Sequence, residues 1–93
     1  MPNNLQIAYI LGAVFLNLGK KESAIDVMKQ ALLIDKKEAL TFDNQDCISD
    51  IYNNLGVAYM KKGDLDIARE HFLKSIEMKN IKAYNNLSSL MSK

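Results

Sequence analysis

Glycine spacing constrains this chain more than any other feature. Gly12 and Gly19 form one pair, Gly56 and Gly63 a second, and each pair is seven residues apart. The second pair lies 44 residues after the first. The same shift brings Ala8 onto Tyr52, Leu11 onto Leu55, Phe15 onto Tyr59, Ala24 onto Ala68, Met28 onto Phe72 and Ala31 onto Ser75. Regular self-similarity of this kind is the mark of a repeat architecture.

Each copy reads as two helices. Tyr52, Leu55, Gly56 and Tyr59 fall at i, i+3, i+4 and i+7, one face of a helix. Gly63 ends that helix, because glycine tolerates the left-handed conformation past a helix C-terminus. Lys61 and Lys62 suit the negative end of the dipole. Asp64 is expected to cap the next helix, whose apolar face is Leu65, Ala68, Phe72 and Ile76. The first copy repeats this with Leu11, Phe15 and Leu18, then Ala24, Met28, Ala31 and Leu32, with Lys20 in the place of Asp64. Small residues at Gly12, Gly56, Ala24 and Ala68 let the paired helices approach closely, and Tyr59 and Phe72 fill the adjacent gaps.

Composition narrows the function. The 93 residues are 48% hydrophobic and 25% charged, ordinary for a globular domain. A net charge of +1 gives no electrostatic footprint for nucleic acid or an anionic membrane. One cysteine, Cys47, and one histidine, His71, can form neither an internal disulfide nor a Cys/His metal site. No apolar run reaches the ~18 residues of a membrane span, and no signal peptide stands out. A reducing, cytoplasmic setting is the expectation.

The residues Tyr52-x-x-Leu55-Gly56-x-x-Tyr59, Gly63-Asp64 and Ala68-x-x-x-Phe72 resemble the tetratricopeptide repeat. The first copy matches as Ala8-x-x-Leu11-Gly12-x-x-Phe15, Gly19, Ala24-x-x-x-Met28 and Ala31. Ala8 is small where the family prefers an aromatic, Lys36 and Asn80 stand where a proline is usual, and Ser75 replaces a common alanine. The period of 44 exceeds the family's roughly 34, and the extra residues fall between Ile34 and Ser49, as in longer-helix variants of the family. The resemblance implies an all-α fold: antiparallel helical hairpins stacked as a short right-handed α-solenoid. One domain over 1–93 is expected, with repeat 1 at about 5–40, repeat 2 at about 46–79 and a capping helix at about 81–92. Helices are expected near 4–18, 22–40, 46–61, 65–78 and 81–91.

Tyr84-Asn85-Asn86-Leu87 repeats Tyr52-Asn53-Asn54-Leu55 letter for letter. The last helix is expected to face inward with Ile81, Tyr84, Leu87, Leu90 and Met91, closing the open end of the stack. The first helix has no such cover. Residues 7–16 carry no polar side chain except the Tyr9 hydroxyl, and a helix apolar all round belongs in a buried setting. Ile7, Ile10 and Val14 form the exposed ridge. Three readings stay open: a tolerated ridge, a ridge covered by an upstream repeat of a longer chain, or a docking surface for a second copy or another protein.

The resemblance further implies that the first helices of successive repeats line a groove for protein or peptide. That places Gln6, Tyr9, Ala13, Leu16 and Asn17 there from the first helix. Asp50, Asn53, Asn54, Val57, Met60 and Lys61 come from the third, and Lys82, Asn85, Asn86 and Ser89 from the last. Asn amides can bond both backbone groups of an extended peptide, while Tyr9, Val57 and Met60 offer apolar contact. The competing reading is that asparagines, Asn54 and Asn86 foremost, tie neighbouring helices together. Some family members grip a peptide's C-terminal carboxylate with Lys, Asn and Arg. Only Asn54 and Lys82 match those positions, against Tyr9, Ala13 and Asn86, which is too few for that role.

Other chemistry is thin. His71 reads as a helix residue with no nucleophile at a useful spacing. Asp43, Asp46 and Asp50 lack the glycine and distal glutamate of a calcium loop, so Asp43 or Asp46 is expected to cap a helix. Cys47 near that cap is either a small hydrophobe or a thiol acidified by a helix N-terminus. No phosphate-binding glycine loop exists. The reading is a non-catalytic protein- or peptide-binding adaptor with no metal, cofactor, nucleic acid or membrane partner. It is expected to self-associate or dock through its first helix; the alternative is a fragment of a larger peptide-responsive regulator.

Overall fold

The structure, a computed structural model, describes residues 4–34 and 42–92. It contains five helices: α1 (Asn4–Asn17), α2 (Lys21–Ile34), α3 (Phe42–Lys62), α4 (Leu65–Glu77) and α5 (Ile81–Met91). Helices α1, α3 and α5 form one row, with α2 and α4 behind it, and α3 touches all four others. The assembly measures 39 × 27 × 18 Å.

The two hairpins are built alike. Met28 of α2 lies over Gly12 of α1, and Phe72 of α4 lies over Gly56 of α3. A Cβ on Gly56 would fall 2.5 Å from two Phe72 ring carbons, and one on Gly12 would fall 2.8 Å from Met28 Cγ and Sδ. Ala24, Ala68, Met28 and Phe72 are fully buried, so both crossings are close-packed. Between the hairpins, Ile51, Leu55 and Ala58 of α3 are also fully buried.

All three described corners use one turn. Gly19 N–H donates to the Leu16 carbonyl and Lys20 N–H to that of Phe15; Gly63 and Asp64 repeat this on Met60 and Tyr59, and Lys79 and Asn80 on Ile76 and Ser75. Each is a Schellman turn, which needs a left-handed residue at its apex. Gly19 (φ 78°) and Gly63 (φ 96°) supply it cheaply, while Lys79 adopts φ 65° with a side chain.

Several boundaries differ from expectation. Helix α3 begins at Phe42, so Asp43 and Asp46 are helical rather than N-caps. Residues 35–40 of the expected second helix lie outside the described residues. Asp64 holds the N-cap position of α4 but makes no side-chain cap bond. Its ψ of 76° is short of the extended backbone that aims a capping side chain, and Leu65 N–H bonds the Gly63 carbonyl instead. Helix α5 packs inward with Ala83, Leu87 and Leu90. Ile81, Tyr84 and Met91, expected on that inner face, are exposed.

Candidate functional site

The row α1, α3, α5 presents equivalent positions in register. A shift of 44 and then 32 takes Gln6 to Asp50 and Lys82, Tyr9 to Asn53 and Asn85, and Ala13 to Val57 and Ser89. Asn17, Lys61, Lys82 and Asn85 are exposed, and Tyr9, Ala13, Asp50, Asn54, Val57 and Met60 are half-buried. Tyr9, Val57 and Met60 also pack against the core.

Two groove candidates sit deeper than expected. Leu16 is buried in the core cluster. Asn53 is 5% exposed, and its Oδ1 accepts a 2.8 Å bond from Asn86 Nδ2. The interhelix tie expected of Asn54 and Asn86 therefore joins Asn53 and Asn86. Leu16 and Asn53 are held by the fold rather than presented to solvent. The cause is helix rotation: α3 is enclosed by four neighbours, which turns Asn53 toward α5.

The α3–α5 junction is polar and closely bonded. Asn80 caps α5 through Oδ1, which accepts from the N–H groups of Lys82 (3.0 Å) and Ala83 (3.4 Å). Its Nδ2 donates to Ser49 Oγ (3.1 Å) and Asp50 Oδ1 (2.9 Å). Ser75 Oγ, fully buried, donates to the Ser49 carbonyl at 2.7 Å. Lys82 Nζ stands 4.0 Å from Asp50 Oδ1, so this lysine already faces a carboxylate. Asn80 and Ser75, which depart from the repeat pattern in sequence, thus carry the bonds of this junction. An Asn one residue ahead of an apolar-periodic run was the available signal.

The remaining candidate chemistry is structural in character. His71 Nδ1 donates to the Ile67 carbonyl (2.9 Å), and its ring stacks on Tyr59 with centroids 5.3 Å apart. Lys29 lies 5.6 Å from the Tyr59 ring centroid. Hydrogen bonding to the Tyr59 side chain, with its charge, holds the Lys29 ammonium above the ordinary lysine range. Burial, then the charges of Asp50 and Asp46, push the Cys47 thiol above its ordinary value. The acidified thiol considered from sequence is thus corrected. With α3 starting at Phe42, Cys47 lies well past the N-terminal amides and faces carboxylates instead. Among the described residues, no group of three or more His, Cys, Asp or Glu side chains could hold a metal ion. No described helix is long and apolar enough to cross a membrane.

Two family models described as "Tetratricopeptide repeat" match this chain, one over residues 49–79 and the other over residues 5–38. The chain is a tetratricopeptide repeat protein. Each matched stretch spans one of the glycine-centred crossings described above, Gly12 with Met28 in the one and Gly56 with Phe72 in the other. Tetratricopeptide repeats are non-catalytic modules that mediate protein–protein interaction. Comparison with curated proteins and with solved structures finds no match to the chain.

Proposed function

We propose that this repeat protein is a cytoplasmic adaptor that docks other proteins, or a second copy of itself, through the apolar ridge of α1. One comparison carries the reading. Ile7 and Val14 are 44% and 45% exposed, while Ile51 and Ala58, their equivalents on α3, a helix packed against both helices of the preceding hairpin, are fully buried. The ridge is therefore a surface that this architecture buries wherever a neighbour is supplied. Ile10 (54%), Leu11 (42%) and Leu18 (64%) extend it. Helix α1 has no charged residue, so docking there buries no ion. Contiguous apolar surface of this kind marks interaction sites.

The groove side of α1, α3 and α5 is the second contact surface in this reading. Tyr9, Ala13, Val57 and Met60 give it an apolar floor, and Asn17, Lys61, Lys82 and Asn85 a polar margin. Sedimentation velocity across the micromolar range, with binding of a hydrophobic dye, tests the ridge. The reading expects concentration-dependent association and dye uptake, both reduced in Ile7→Asp and Ile10→Asp. A strictly monomeric chain that takes up no dye would remove the ridge from the account.

A further inference from the structure

We draw no further inference here: the strongest candidate, the polar cavity at the α3–α5 junction lined by Asp46, Asp50, Lys79 and Lys82, has Asp50 already held by Asn80 and faced by Lys82, and nothing among the described residues points to a ligand for it.

Discussion

Phe72 lies across Gly56 so closely that a Cβ there would stand 2.5 Å from two of its ring carbons. At the equivalent crossing, Gly12 faces Met28, whose nearest atoms belong to a flexible thioether chain. The two hairpins thus share a plan and differ in tolerance, since a thioether adapts where an aromatic ring cannot.

Gly56→Ala is accordingly expected to destabilise the fold by about 1–3 kcal/mol through overpacking. Gly12→Ala is expected to be near neutral, because the helix propensity gained, up to about 1 kcal/mol, offsets the shift of Met28. Urea denaturation of both variants checks this. Gly56→Leu should exceed Gly56→Ala, and unchanged melting of Gly56→Leu would show the helix pairing to be wrong.

Lys79 holds a left-handed conformation that Gly19 and Gly63 hold in the other corners. A side chain there costs about 1 kcal/mol or more, part of which glycine returns through unfolded-state entropy. Lys79→Gly is expected to raise stability by about 0.5–1 kcal/mol, read as a higher denaturation midpoint at constant slope. Gly63→Lys should move the midpoint the other way.

Asn80 joins α5 to α3 with four side-chain hydrogen bonds. Asn80→Ala is expected to cost about 1–3 kcal/mol from the lost cap and the partners left unpaired. Hydrogen exchange should locate the loss, with α5 amides exchanging faster and α1 amides unchanged. Asn53→Ala should also destabilise, since it strips the Asn86 amide of its acceptor.

Cys47 is held above the ordinary thiol value by burial and by Asp50 and Asp46. The folded state therefore favours the neutral thiol. Through this group, stability is full below the unfolded thiol value and declines as pH rises past it, because the unfolded chain releases the proton first. Thiolate is the reacting species, so labelling of Cys47 by a thiol reagent near pH 8 should be slower in the folded chain than in urea. Asp50→Asn should speed it.

What was legible in the sequence was what local periodicity carries. Gly12, Gly56, Met28 and Phe72 pair by size across a hairpin, and that follows from spacing alone. Gly19 and Gly63 mark their corners through backbone chemistry alone. The angular setting of each helix was not legible. Asn53 and Asn54 point about 100° apart on a helix of 3.6 residues per turn. Which of them meets α5 depends on how four neighbours crowd α3, and adjacent letters do not encode that. Helix α5 misled for a related reason. Ile81 and Tyr84 look like an inner face, but the fold turns Ala83, Leu87 and Leu90 inward. Asn80 stayed hidden because its partners, Ser49 and Asp50, lie 30 or more residues away in the chain.

Hydrogen exchange at low and at high micromolar protein tests the central claim, that α3 is enclosed while α1 keeps an open face for partners. At low concentration, amides around Ile51–Tyr59 should be the slowest in the chain, opening only with global unfolding, and those of α1 and α5 should exchange faster. At high concentration α1 alone should gain protection, and Ile10→Asp should erase the gain. Protection of α1 equal to that of α3 in the dilute chain, or no change in α1 with concentration, would contradict the account.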